Sequence, residues 1–118
     1  MEQTILFVDD SIDKDMMGDL LKEFFTDIGY NPIICGNAED AITHINKADL
    51  LITDFHMPGM NGDKLTKIAK REKPDMPVII MTCTPWDIPV DHLADKVQVI
   101  EKPFKIEQFE KVIADLLR

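Results

Sequence analysis

The sequence is short of cysteine, of aromatic side chains and of positive charge. Cys35 and Cys83 are its only cysteines, far apart along the chain. Neither a disulfide framework nor a close-spaced thiolate metal site is available, so they read as reduced thiols of a cytoplasmic protein. Thirteen Lys and Arg stand against 22 Asp and Glu, a formal charge of −9. That balance excludes a nucleic-acid surface or an anionic membrane as the natural partner, because both favour basic proteins. No apolar run approaches the roughly 20 residues that span a bilayer. The start, Met1-Glu2-Gln3-Thr4, lacks the basic region of a secretory signal. Repeats, low-complexity stretches and Ser/Gly linkers are missing as well. What remains is 118 residues, 45% apolar and 30% charged. Composition and length predict one domain over 1–118 that buries a core without staples.

Short apolar runs alternate with helical periodicity. Ile5-Leu6-Phe7-Val8, cut off by Asp9-Asp10, suits a strand covered on both faces. Met16, Met17, Leu20, Leu21, Phe24, Phe25 and Ile28 recur at helical spacing before Gly29 and predict a helix with a core-facing stripe. Pro32–Cys35, Leu50–Thr53, Pro77–Met81 and Val97–Ile100 predict four more strands. Asn37 is a good N-cap, with Glu39 and Asp40 in the turn after it; Ala38, Ala41, Ile42 and Ile45 form one face of that helix. Leu65, Ile68 and Ala69 mark a third helix that stops before Pro74. Pro85 and Pro89 limit any helix before the fifth strand to a short one starting after Pro89. A last helix turns Ile106, Phe109, Val112, Ile113 and Leu116 inward. Strands alternating with helices predict an α/β fold: a doubly wound, five-stranded parallel sheet with helices on both faces. The common order at this size is 2-1-3-4-5, flavodoxin-like; a closed barrel needs about 250 residues.

In that order the strand ends meet at one edge of the sheet. Asp9-Asp10 follow strand 1, Asp54 ends strand 3, Thr82 ends strand 4 and Lys102 follows strand 5. Three carboxylates together repel one another and raise at least one pKa. A hard divalent cation with oxygen ligands relieves them, and Mg²⁺ is the natural choice. Lys102 adds a point charge and Thr82 a hydroxyl donor. Such a pocket suits a tetrahedral anion such as a phosphoryl group. One carboxylate can then attack phosphorus and form an acyl phosphate.

These residues carry a resemblance. Asp9-Asp10, Asp54 followed by His56-Met57-Pro58-Gly59-Met60-Asn61-Gly62, Met81-Thr82, and Lys102-Pro103-Phe104 each follow the right strand. Together they make the chain similar, over essentially its whole length, to the receiver domain of bacterial two-component response regulators. It most resembles the single-domain, chemotaxis type. The resemblance implies that Asp54 accepts a phosphoryl group from a sensor histidine kinase or phosphotransfer protein. It implies Mg²⁺ held by Asp10, Asp54 and the main-chain carbonyl of His56, with Asp9 acting mostly through a bound water. Thr82 and Lys102 would contact the phosphoryl oxygens, and the Lys102–Pro103 peptide would be cis. His56 and Thr84 occupy positions that, in the family, help set how fast the acyl phosphate hydrolyses. Phosphorylation would re-set the face of the fourth helix, fifth strand and fifth helix, which an unknown downstream protein reads or through which two copies dimerise.

Several positions depart from the family pattern. Val99 stands where an aromatic residue is usual, Cys83 where a small residue is common, and Asp15 where many members have arginine. Pro85 and Pro89 shorten the fourth helix. Val99 keeps open a second reading, a degenerate receiver that binds partners without phosphorylation. Two other classes fail on the residues. A flavin-binding relative of the same fold needs a Ser/Thr/Gly-rich loop after strand 1, where this chain has Asp9-Asp10-Ser11. An aspartate-nucleophile phosphatase of the haloacid dehalogenase type needs a second aspartate two residues on, where this chain has Ser11 and Ile12. The expectation is therefore a switch without a separate substrate. Taken alone, His44 and His92 read as surface residues, and Trp86 as loop packing or a partner contact.

Overall fold

The computed structural model describes residues 2–11, 17–88 and 96–117. Its elements run β1 (Thr4–Val8), α1 (Met17–Asp27), β2 (Asn31–Cys35), α2 (Ala38–Ile42), β3 (Leu50–Asp54), α3 (Gly62–Glu72), β4 (Val78–Thr82), β5 (Val97–Glu101) and α4 (Ile106–Leu117). Single 3₁₀ turns lie at Ile45–Lys47 and Pro85–Asp87. The strands form one parallel sheet in the order β2-β1-β3-β4-β5. This is the expected doubly wound architecture.

The two-residue period of the strands divides the core into two layers. Leu6, Val8, Leu51, Val78 and Ile80 face one way and pack with Ala38, Ala41, Leu65 and Ala69 of α2 and α3. Ile5, Phe7, Leu50, Ile52, Ile79 and Met81 face the other way and meet Phe25, Phe109 and Ile113 of α1 and α4. Both faces being covered explains why the central strands β1, β3 and β4 read as continuous apolar runs rather than alternating ones. On the second face the rings of Phe7, Phe24, Phe25, Phe104 and Phe109 form a linked cluster. Phe104 stacks on Phe109 at 4.9 Å and so pins the loop that carries Lys102 to α4.

Several expectations need correction. Leu20 is 61% exposed, not core. It lies about 140° round the helix from Phe25, so the apolar pattern of α1 is wider than its buried face. Ile106 is 52% exposed because it opens α4, before the helix reaches the sheet. Ile45 is buried but belongs to the 3₁₀ turn, not to α2. The Thr43 hydroxyl donates to the Asp40 carbonyl at 2.8 Å and helps end that helix after Ile42. Asn37 caps it as expected, its side chain accepting from the Asp40 N–H at 2.8 Å. The turn between β4 and β5 begins at Pro85, before Pro89. A helix after Pro89, and Asp15, Met16 and His92, lie outside the described residues. His44 is half-buried, with its Nδ1 enclosed and unpartnered, so it is not a plain surface residue.

Candidate functional site

Strand register brings the site together. Val8 of β1 pairs with Thr53 of β3, Asp54 with Met81 of β4, and Thr82 with Glu101 of β5. Four neighbouring strands therefore end at one level. Past that level the chain is held by further backbone bonds: Phe55 N–H to the Met81 carbonyl at 2.9 Å and Lys102 N–H to the Thr82 carbonyl at 2.8 Å. Asp9, Asp10, Asp54 and Lys102 emerge side by side as a result.

Asp9, Asp10 and Asp54 each offer a carboxylate oxygen, all within 4.8 Å of one another. Lys102 Nζ lies 2.9 Å from Asp54 Oδ1 and 3.4 Å from Asp9 Oδ2. Burial pushes the Asp54 carboxyl above the ordinary carboxylate value. The bond and charge of Lys102 pull against that, and the charges of Asp9 and Asp10 push with it. Burial works to lower the Lys102 pKa, but its bond to Asp54 and the charges of Asp9 and Asp54 leave it raised. The cluster is short of positive charge: three carboxylates share one ammonium. All-oxygen donors at this spacing suit Mg²⁺.

Thr82 is buried at the end of β4. Its Oγ1 accepts from the Thr84 N–H at 3.0 Å and lies 3.3 Å from Thr84 Oγ1. Thr84 Oγ1 is in turn 2.9 Å from Nε2 of His56, an exposed side chain in the loop after Asp54. Thr82 is thus at the site's edge but bonded towards Thr84. Pro103 follows a cis peptide, as the resemblance implied. Cys83 and Lys102 both line a mainly apolar cavity of about 560 Å³ that reaches Phe7, Leu21 and Phe104. Val99 is not at this edge. It is half-buried against the α2/α3 core, paired in register with Ile80.

Two contributors were not foreseen. Ser11 gives Asp9 both its N–H, at 3.0 Å, and its hydroxyl, at 2.7 Å. The Asp-x-Ser spacing is the available signal, since Asp bonds backbone two residues on. Gly62 donates its N–H to the Phe55 carbonyl at 2.8 Å and packs directly on the Asp54 backbone. Trp86 is 76% exposed, so the loop-packing reading is set aside.

The model of one protein family, the response regulator receiver domain, matches residues 5–114. The chain belongs to that family. A chemotaxis protein CheY homologue of Campylobacter jejuni is 36% identical over 84 residues, which cover 66% of this receiver and 62% of the relative. The uncharacterized transcriptional regulatory protein YrkP of Bacillus subtilis is 32% identical over 122 residues, covering 100% of this receiver and 51% of YrkP. The chemotaxis protein CheY4 of Vibrio cholerae shares its fold, with a TM-score of 0.81 at 22% identity over 99% of this receiver and 100% of that chain. The receiver spans between about half and two thirds of the length of these curated relatives.

The cysteines give a check on the site's accessibility. Cys83 is exposed, whereas Cys35 is buried and its thiol is pushed up by burial and by the charge of Asp40. Iodoacetamide should modify Cys83 in the native receiver at least about tenfold faster than Cys35. Peptide mass mapping over time checks this; equal rates would mean that Cys35 is not enclosed.

Proposed function

We propose that the chain is a phospho-accepting signalling switch with Asp54 as the acceptor. The observation that carries this reading is the Lys102 ammonium 2.9 Å from the Asp54 carboxylate, inside a cluster of three acids at the carboxyl edge of the sheet. In the proposed reaction a carboxylate oxygen of Asp54 attacks phosphorus of a phosphohistidine on a kinase or phosphotransfer protein. The O–P bond forms as the P–N bond breaks, and the imidazole leaves with the electron pair and takes up a proton. Lys102 stays charged and offers its hydrogens to the phosphoryl oxygens. Thr82 releases Thr84 and donates its hydroxyl to the same group. Bound by Asp10, Asp54 and the His56 carbonyl, with Asp9 acting through water, Mg²⁺ would offset the charge of the carboxylates and of the phosphoryl oxygens. The membership in the family and the acidic, oxygen-only donor set support this assignment. The switch turns over no separate substrate, and its expected setting is the cytoplasm. Among the described residues no helix is long and apolar enough to cross a membrane.

The cation requirement has a thermodynamic signature. With EDTA present, Asp54 favours its protonated form in the folded state more than in the unfolded one. Its contribution to stability is present in acid, below the ordinary carboxylate range, and is lost as pH rises through the raised folded value. At neutral pH, Mg²⁺ at ten times its Kd should add about 1.4 kcal/mol, or roughly 3–6 °C in Tm. Asp54→Asn should remove most of that shift. Calorimetry with and without Mg²⁺ checks both; an unchanged Tm at millimolar Mg²⁺ contradicts the cation site. The covalent chemistry is tested by the lability of the product. The adduct formed with acetyl phosphate should be cleaved by hydroxylamine, as an acyl phosphate is, and a hydroxylamine-stable adduct would place the group on a hydroxyl instead.

A further inference from the structure

The charge of this chain is strongly segregated. Lys64, Lys67, Lys70, Arg71 and Lys73 lie within twelve residues, against only Asp63 and Glu72. That segment carries +3, so the rest of the chain carries −12 to give the formal −9. The buried residues of α3, Leu65, Thr66 and Ala69, face the sheet. Lys64, Lys67 and Arg71 lie on the opposite side of the helix and, with Asn61 and the edge of the half-buried Ile68, line an open cavity of about 600 Å³ beside the loop after β3.

Helix stability does not account for this stripe. Cations favour the last turn, which explains Lys70 and Arg71. Lys64 sits in the first turn, where the helix dipole disfavours it. Lys64 and Lys67 are like charges three apart, and Lys67 and Arg71 four apart, both repulsive spacings. Asp63 offsets part of this through Lys67 at 3.8 Å. Among the described residues neither Lys64 nor Arg71 is held in an ion pair. A surface that works against its own helix, on an otherwise acidic protein, has its compensation elsewhere.

We propose that the exposed face of α3 is a docking surface for an acidic helical segment of a partner protein. The three cations span about 10 Å along the axis, two helical turns, and match carboxylates repeated about once per turn on a facing helix. Ile68 flanks the stripe, half-buried against the core, and its open edge in the same cavity gives such a segment an apolar contact. A nucleic acid fits less well, because its phosphates would run past this short stripe onto the acidic remainder. A second copy fits less well too, since two chains of −9 repel as wholes. The surface adjoins the site: Asn61, at its rim, caps α3 by accepting from the Lys64 N–H at 3.0 Å, and the next residue bonds the Phe55 carbonyl. The proposal does not depend on phosphorylation of Asp54.

The test is a titration of the full ¹⁵N-labelled chain with a synthetic amphipathic helix that carries glutamates one turn apart, followed by amide chemical shifts. Shifts should concentrate on 61–71 and vanish with a glutamine-for-glutamate peptide. Lys64→Glu with Arg71→Glu should weaken binding by about tenfold or more, while Lys47→Glu and Lys111→Glu should leave it unchanged. The Gln versions of the first pair should give an intermediate loss, which separates charge from misfolding. The proposal is overturned if shifts spread equally over Lys47, Lys105 and Lys111. It is also overturned if tripolyphosphate or a DNA oligonucleotide binds the same face more tightly than the peptide, or if the face instead mediates self-association.

Discussion

Gly62→Ala will destabilise the fold by about 2–3 kcal/mol and lower Tm by roughly 8–12 °C. A Cβ at this position would sit 2.3 Å from the Asp54 carbonyl oxygen and 3.0 Å from the Phe55 Cα. Both are backbone atoms, so no rotamer change relieves the clash. Either α3 lifts away, breaking the Gly62 N–H bond to Phe55 and exposing Leu65 and Ala69, or the end of β3 moves. The second outcome displaces the carboxylate of Asp54 from Lys102. A misplacement of about 1 Å costs on the order of a hundredfold in a positioned reaction. Phosphoryl acceptance should therefore fall further than stability alone explains, even at a temperature where the variant is folded. Gly29→Ala is the control. Its φ of 98° also disfavours a side chain, but nothing lies within 4 Å of the Cβ. It should cost about 1–2 kcal/mol and leave acceptance intact. Calorimetry and the rate of adduct formation, measured on both variants, check the contrast; equal rates would show that Gly62 does not position the acceptor.

The second large effect concerns Lys102. Lys102→Met keeps most of the apolar stem that lines the cavity shared with Phe104 and removes the charge. Asp54, Asp9 and Asp10 then face one another with no ammonium between them. Acceptance should fall about 10²–10³-fold, the range seen when one preorganised electrostatic partner is removed. Mg²⁺ binding should survive and tighten, because a competing cation has gone. A variant that binds Mg²⁺ better yet accepts a phosphoryl group worse separates the two roles; a parallel loss of both would assign Lys102 to the fold alone. The pH limb agrees in sign. The Lys102 pKa is raised in the folded state. Its contribution is full below the ordinary lysine value and is lost as pH rises through the raised one, so the wild type has an alkaline stability limb that the Met variant lacks.

The fold was readable because β1 to β4 each contain a short apolar run bounded by polar or turn residues, and β5 keeps Val97, Val99 and Ile100 around the exposed Gln98. Leu50-Leu51-Ile52-Thr53 is uninterrupted, and both of its faces are covered. The acids and Lys102 were readable because each follows a strand end, and the parallel order brings such ends together. Leu20 and Ile106 were misread because hydrophobicity marks a helix's apolar side without saying how far the sheet beneath it extends. Ser11 was missed because its role is a bond to one oxygen of Asp9, which depends on the turn conformation. Gly62 was visible only as a turn glycine; its close approach to Asp54 is a through-space contact between β3 and α3. The link from His56 to Thr84 joins residues 28 apart in sequence, and no local pattern encodes it.

The central claim is that Asp54 accepts a phosphoryl group with the aid of a divalent cation. The most direct measurement is intact mass after incubation with acetyl phosphate, with Mg²⁺ or EDTA, on wild type and Asp54→Asn. The account predicts a gain of one phosphoryl group in wild type with Mg²⁺ alone, and none in Asp54→Asn. No gain in wild type under any condition, or an equal gain in Asp54→Asn, would contradict it. The first of those results would favour a receiver that works by binding partners without phosphorylation.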